Sequence, residues 1–263
     1  MTDRPHPAAP AKPSKARVRQ SFDRAARSYD SAASVQRLIC QQLAAALPAN
    51  CNPAKLLDAG CGTGYALPLL QARFPEASML ALDLSSAMLQ QISAPCHRLA
   101  GDLEHLPLAA ASIDLYWSSL AVQWCELPQA LAEARRVLRI GGQLALASLG
   151  PQTFHELRHA FAGIDSHRHT LAFHAPADIE RMATQAGLVA VDVQNSVKIA
   201  HYPDFTSLLK AVKAIGANQV GDGQRTSLMS RGAFSRAEAA CESLRTPSGL
   251  PLTYHVITLT AQP

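Results

Sequence analysis

Three glycines at alternate positions, Gly60, Gly62 and Gly64, follow the apolar run Lys55–Asp58 and precede a helically patterned stretch from Tyr65 to Arg73. At such a strand-to-helix junction, residues without a Cβ let the backbone turn sharply and let a ligand approach closely. Two carboxylates flank the turn in sequence. Asp58 comes just before it, and Asp83 closes the next apolar run, Leu80–Asp83, 19 residues after Gly64. That separation suits a helix, a turn and a returning strand.

Dinucleotide-binding proteins space their glycines G-x-G-x-x-G, with a pyrophosphate on the helix N-terminus. The spacing here is Asp58-x-Gly60-x-Gly62-x-Gly64. It resembles motif I of the class I S-adenosylmethionine-dependent methyltransferases. A dinucleotide site, or a glycine turn with no ligand, stand as alternatives. The resemblance implies S-adenosylmethionine as co-substrate. Asp58, Gly60, Gly62 and Gly64 would pack beside its methionine part and ribose, and Asp83 with Leu84 would hold the ribose hydroxyls. Asp102, in Ala100-Gly101-Asp102-Leu103, falls where the family sets an acid against the adenine amino group. Hydroxyls and adenine N6 are donors and a carboxylate is an acceptor, so both pairings are chemically sound. A plain Gly-Asp turn is the other reading of Asp102.

The elements that must position these groups alternate. Strands are expected at 55–59, 78–83, 96–100, 113–118 and 143–148. Helices are expected at 65–73, from Ser85 or Ser86 through Ile92, and from Pro128 to Arg139, the last followed by a Gly141-Gly142 turn. This rhythm implies an α/β fold with a doubly wound, mostly parallel seven-stranded sheet. Beyond residue 150 the rhythm changes. Helices are expected at 153–164, 176–186, 205–215 and 233–244, with strands at 189–199 and 252–259. Two helical pieces cover 14–47, where Val18, Phe22, Ala25 and Ala26, then Val35, Leu38, Ile39 and Leu43, recur at helical spacing. The organisation expected is a disordered tail over 1–14 and one domain over 15–263. Within that domain, lid helices span 15–50, a cofactor-binding half 54–150, and a substrate cover with the last strands 151–263.

Ligands of such sheets sit beyond the carboxyl ends of the strands. Strand four ends in Ser118-Ser119-Leu120-Ala121-Val122-Gln123-Trp124-Cys125. Ser118 is therefore expected at the cofactor, Gln123 as a hydrogen-bonding partner of the substrate, and Trp124 as pocket wall or core. His155 and His159 share the i, i+4 spacing of metal ligands, but no H-E-x-x-H pattern and no further ligand completes a set, so no metal is expected.

The net charge of +4 is local. Residues 1–30 carry Arg4, Lys12, Lys15, Arg17, Arg19, Arg24 and Arg27 against Asp3, Asp23 and Asp30, and the remainder balances at 17 against 17. A basic arm of this kind either contacts an acidic partner or is simply solvated. No nucleic-acid-binding signature accompanies it. The six scattered cysteines form no C-x-x-C pair, no apolar run approaches the ~20 residues that cross a bilayer, and the N-terminus lacks the apolar stretch of an export signal. A cytoplasmic protein with reduced thiols and no membrane partner is expected.

Several segments narrow the resemblance. Ser21–Asp30, Leu57–Gly64, Leu120–Cys125, Ser148–Leu157, Leu209–Ala217 and Leu252–Val256 together resemble the malonyl-acyl-carrier-protein O-methyltransferase family of biotin synthesis, over about residues 15–260. The Pro-rich start departs from that pattern. The resemblance implies methyl transfer to the free carboxylate of a malonyl thioester, presented by acyl carrier protein or by coenzyme A. A carboxylate with a pKa near ~4 is already anionic at neutral pH. No general base is then needed, only desolvation and alignment. Tyr29 is the expected donor to that carboxylate and Phe173 a closing wall. Arg168, Lys198, Lys210 and Lys213 are unranked candidates for a cationic anchor, and Arg17, Arg19, Arg24 and Arg27 are the expected carrier-protein contacts. A quinone-type methyltransferase, or a non-catalytic assembly factor on the same fold, remain alternatives.

Overall fold

The structure is a computed structural model that describes residues 12–165, 167–216 and 229–263. Residues 1–11 of the expected tail, and Ala217 at the end of one family segment, lie outside the described residues. Lys12 to Ser14 belong to the fold: Pro13 is buried, and the Lys12 ammonium donates to the Cys125 carbonyl.

Three helices lead the chain: α1 (Lys15–Ala25), α2 (Tyr29–Ala32) and α3 (Ser34–Ala46). Two pieces had been expected. The extra break follows from Ser28, whose hydroxyl donates to the Ala25 carbonyl at 3.3 Å and so competes with helix continuation. The alternating core then runs β1 (Lys55–Ala59), α4 (Ala66–Arg73), β2 (Ser78–Asp83), α5 (Ser86–Leu89), β3 (His97–Ala100), β4 (Ile113–Ser119), α6 (Leu127–Val137) and β5 (Leu138–Leu149). The second half adds α7 (His155–Phe161), α8 (Pro176–Gln185), β6 (Val189–Tyr202), α9 (Phe205–Ala214), α10 (Arg231–Glu242) and β7 (Leu250–Gln262).

Seven strands form one sheet in the order β3-β2-β1-β4-β5-β7-β6. Strands β1 to β5 pair in parallel, while β7 runs antiparallel to both β5 and β6. The doubly wound, mostly parallel sheet expected from the sequence is therefore present. Alternation along each strand feeds two cores. Leu56, Leu115 and Trp117 face Ile39, Leu43 and Leu70 on one side. Leu57 and Tyr116 face Leu131 and Ile179 on the other. Because β1 neighbours both β2 and β4, the sheet reverses its winding there, and a crevice opens at the strands' carboxyl ends.

Gly141 and Gly142 do not form the expected turn between α6 and β5. Ile113 pairs with Leu138 but Leu115 pairs with Gln143, so residues 139–142 make a bulge inside a longer β5. Gly141 takes φ +78°, and a Cβ on Gly142 would lie 2.8 Å from the Arg139 carbonyl oxygen. The helix after Ser85 ends at Leu89, short of Ile92, while β6 and β7 run longer than expected. No helix among the described residues is long and apolar enough to cross a membrane.

Asp114 ties the start of the sheet to that bulge. Its buried carboxylate accepts the N–H groups of Ala54 and Lys55 at 2.8 Å each and pairs with Arg139. Removing it takes the carboxylate partner from both backbone donors and from Arg139. Asp114→Ala is expected to destabilise the fold by about 1–3 kcal/mol, read as a lowered urea midpoint. An unchanged midpoint would show that water replaces the carboxylate without cost.

Candidate active site

The chain leaving β1 is turned by one acceptor. Gly60 and Cys61 both donate to the Leu82 carbonyl, at 2.7 and 3.0 Å. Gly60, Gly62 and Gly64 all take positive φ, at 77°, 54° and 83°. Gly60 has a second reason to be glycine, since a Cβ there would sit 2.2 Å from the Ala121 Cβ. Asp83 then grips the loop: one carboxylate oxygen accepts the Gly62 N–H at 2.9 Å and the other accepts Ser85 N–H at 2.8 Å.

Asp58 stands behind this loop, 2% exposed, with one carboxylate oxygen lacking any partner. Burial, then the nearby Asp83 carboxylate, pushes its pKa up to about 8. An orphaned buried acceptor beside a glycine cradle fits a ligand bringing a donor cation, as the ammonium of S-adenosylmethionine is. Cys61 is buried in the same loop. Burial and the two carboxylates raise its pKa, so it stays a packed thiol.

One cavity is lined by Asp58, Gly60, Gly62, Asp83, Leu84, Asp102 and Leu103, which the structure brings together as expected; Gly64 instead abuts Ile92 and Leu67. Ser118 is a correction. It is fully buried and donates to the Ala59 carbonyl at 2.7 Å, while Ser119 lines the cavity in its place. Asp102 is shared: one oxygen accepts the Lys15 ammonium and the Glu104 N–H, at 2.9 and 3.1 Å. Among the described residues, Asp102, Glu104 and Cys125 are close enough to hold a metal ion, and the Lys15 ammonium already meets all three.

A narrow apolar slot adjoins this cavity and shares Phe22, Tyr29, Gln36, Leu120 and Trp124 with it. Gln123, Leu149, Phe154, Leu171, Phe173, Ile215 and Tyr254 complete its wall. Trp124 is both wall and core, 8% exposed and edge-on to Phe22 at 5.7 Å. Gln123 donates to the Leu120 carbonyl at 2.6 Å, leaving its amide oxygen buried without a partner. Leu120 sits at φ +57°, a strained conformation that turns the chain from β4 along the slot. The Tyr29 phenol is raised above its ordinary value by burial and by the Asp83 and Asp30 carboxylates, so it remains a donor.

None of Arg168, Lys198, Lys210 and Lys213 lines the cavity or the slot. The cations there are Lys15 and Arg37, which sequence reading missed because only the docked lid brings them in. Arg37 lies over the Tyr65 ring at 5.2 Å, donates to the Asp30 carbonyl at 2.8 Å, and keeps a buried Nε–H without an acceptor. It is suited to a carboxylate.

The chain is 66% identical to the malonyl-acyl-carrier-protein O-methyltransferase of Dechloromonas aromatica, over 100% of both chains. The chain belongs to the malonyl-acyl-carrier-protein O-methyltransferase family. Another member, from Laribacter hongkongensis, is 43% identical over 92% of this chain and 87% of its own. The biotin biosynthesis bifunctional protein BioHC of Cellvibrio japonicus is 37% identical over 92% of this chain and 49% of its own length. Residues 57–146 match the methyltransferase domain family. Among solved structures, the YcgJ protein of Bacillus subtilis superposes with TM-score 0.60 at 16% identity, covering 86% of this chain and 97% of that one. An S-adenosylmethionine-dependent methyltransferase of Thermotoga maritima gives 0.56 at 16% identity, covering 93% and 99%. The fold is thus the class I methyltransferase fold.

The raised Asp58 pKa has a measurable consequence. A group whose folded-state pKa lies above its unfolded value supports the fold at low pH and loses that contribution as pH rises towards about 8. Asp58→Asn is therefore expected to gain urea midpoint over the parent, ligand-free, progressively from pH 5 to pH 8 and level off above. It should also weaken S-adenosylmethionine binding in calorimetry. A midpoint difference independent of pH would mean that Asp58 is ionised and paired in the folded protein.

Proposed function

We propose that this protein transfers a methyl group from S-adenosylmethionine to the free carboxylate of a malonyl thioester held on acyl carrier protein. The observation that carries this reading is the chemistry of the slot. Its described lining is aromatic, aliphatic and amide, with tyrosine hydroxyls, and offers no imidazole, carboxylate or amine to accept a proton. Methylation of a hydroxyl, an amine or a ring carbon requires proton removal, and a carboxylate does not. The quinone-type alternative is disfavoured on that ground.

When bound, S-adenosylmethionine supplies a methyl carbon made electrophilic by a positively charged sulfur. Asp58 offers an acceptor to its ammonium, Asp83 acceptors to the ribose, Asp102 an acceptor at the adenine end, and Arg37 a donor to its carboxylate. The glycine loop lets the backbone approach closely. Phe22, Leu120, Trp124 and Phe173 strip water from the malonyl carboxylate, while Tyr29 and Gln36 keep polar atoms facing it. Dry surroundings favour a step in which an anion and a cation combine into neutral products. Biotin synthesis gives the ester a purpose, because masking the carboxylate removes a charge that apolar elongation channels would reject.

The carrier contact is assigned to α1 and the turn that follows it. Arg17, Arg19, Arg24 and Arg27 are all exposed, and none forms an ion pair among the described residues. An acidic carrier would be steered by them, raising encounter rate more than final affinity.

The decisive assay incubates the protein with malonyl-carrier protein and labelled S-adenosylmethionine. The product should gain one methylene equivalent by mass spectrometry and lose it on saponification, and Tyr29→Phe should lower turnover by about tenfold or more. A base-resistant methyl group would sink the ester assignment. Reversing Arg17, Arg19, Arg24 and Arg27 to glutamate should slow transfer to malonyl-carrier protein far more than to malonyl-coenzyme A. That gap should narrow in salt as the Debye length falls from ~10 Å towards ~3 Å. Equal losses on both would point to a damaged lid.

A further inference from the structure

A third cavity opens outside the slot. It is lined by Pro151, Phe161 and the side chains of Arg158, His167, Arg168 and His169, and it shares Leu171 and Phe173 with the slot. Three cavities thus lie next to one another, each neighbouring pair sharing wall residues. The glycine-loop cavity meets the slot at Phe22, Tyr29, Gln36, Leu120 and Trp124, and the slot meets the outer cavity at Leu171 and Phe173. The outer cavity is the roomier of the two, about 480 Å³ against about 30 Å³ in the slot. Leu171 and Phe173 also pack with Val18 and Phe22 of α1 and with Trp124, so the mouth lies beside the basic helix.

The outer cavity differs from the slot in being cationic. Arg158 is held in one orientation by neutral acceptors: the carbonyls of Thr153 and Pro151, at 2.7 Å each, and the Thr170 hydroxyl at 3.5 Å. Its guanidinium charge is not consumed by those bonds. Arg168 has no hydrogen-bond or ion-pair partner among the described residues. The acid in the cavity is Asp165, which accepts from the His169 ring at 2.9 Å and the His167 N–H at 3.0 Å. His169 in turn stacks on Phe161 at 3.7 Å. Among the described lining, two guanidinium groups stand against one carboxylate above an apolar floor of Phe161, Leu171 and Phe173; the buried Glu156 carboxylate behind the wall acts on Arg158, so Arg168 is the cation least offset.

We propose that this cavity binds the phosphopantetheine arm of the substrate, with Arg158 and Arg168 holding its phosphate. The inference rests on the malonyl-thioester reading above. A thioester presented on a carrier or on coenzyme A hangs from a slender chain with a phosphate at the far end. Delivering its malonyl tip into the slot therefore requires a path for the chain and an anionic anchor at the path's outer end. Guanidinium forks match phosphate oxygens in shape and charge. The apolar floor suits the aliphatic part of the arm. Arg168 is thus assigned to the handle rather than to the reacting carboxylate, which lies beyond Phe173.

The test compares four substrates: malonyl-pantetheine, malonyl-phosphopantetheine, malonyl-coenzyme A and malonyl-carrier protein. The parent enzyme should show a KM about tenfold lower for malonyl-phosphopantetheine than for malonyl-pantetheine. Arg168→Ala should erase that difference by raising KM for the three phosphate-bearing substrates, leaving kcat and the pantetheine value in place. Arg168→Lys should restore part of it. Calorimetry with phosphopantetheine alone should show weakened binding in Arg168→Ala, a readout independent of methyl transfer. Arg158→Ala serves as a second variant, its folding checked by urea midpoint because it also holds the 151–153 backbone. The same loss on all four substrates, or no phosphate preference in the parent, would overturn the site while leaving the carboxyl methylation intact. Methylation of none of them would remove the underlying reading, and this one with it. A loss confined to malonyl-coenzyme A would reassign the cavity to that thioester's additional phosphates and overturn the shared-arm proposal.

Discussion

A single backbone carbonyl, that of Leu82 at the end of β2, accepts two consecutive N–H groups as the chain leaves β1. That pair of bonds obliges the backbone to swing across the ends of its neighbours at the point where the sheet reverses its winding. Only a residue free of Cβ fits at Gly60, because Ala121 already fills the space beside it. Once the turn is made, Gly62 presents its N–H to Asp83, and Asp83 reaches Ser85 with its other oxygen. Ser85 then bonds Asp23 of α1 at 2.5 Å, and Thr63 bonds Asp30 of α2 at 2.7 Å. The lid is thus hydrogen-bonded to the cofactor loop and not merely laid over it.

What was legible in the sequence follows from where burial is two-sided. Strands β1 and β2 fall at the expected residues because both faces are covered, giving short continuous apolar runs bounded by breakers. The lid helices were less legible. They are covered on one face only, and the break at Ser28 depends on a side chain bonding backwards to Ala25. Strand pleat explains the Ser118 error: adjacent residues on β4 point to opposite faces, so the choice between Ser118 and Ser119 turns on register, which composition does not reveal. Gly141 and Gly142 look the same in sequence whether they end a helix or fill a strand bulge.

The cations were the least legible part of the site. Arg37 and Lys15 are far from the glycine motif in sequence and enter the cavity only through docking of α1 and α3. A positive charge also carries no periodicity to mark its direction. Arg37 became visible through an unsatisfied Nε–H, and Asp58 through an unsatisfied carboxylate oxygen. Unpaired buried polar atoms are costly in a fold that binds nothing; Tyr116, Trp117 and His255 carry others away from the site, but those at Gln36, Arg37, Asp58 and Gln123 all border the cavity or the slot, where a ligand could meet them.

Charge is arranged in sequence along the path. Arginines lie exposed on α1, guanidinium groups line the outer cavity, and the slot beyond Phe173 has no charged side chain among its described lining. Most of the acids along the path lie past Tyr29, where Asp30, Asp58, Asp83 and Asp102 line the inner cavity. A carboxylate moving inward is therefore attracted at the surface and desolvated in the slot, where Tyr29 and Gln36 replace part of its water. Close to Asp83 it would meet repulsion, and less of it at Asp58, which burial keeps largely protonated near neutral pH in the ligand-free protein; a bound cation would offset that repulsion. The same geometry makes the order of filling matter: a cationic ligand seated beside Asp58 and Asp83 would make the slot a better place for an anion than it is in the ligand-free protein.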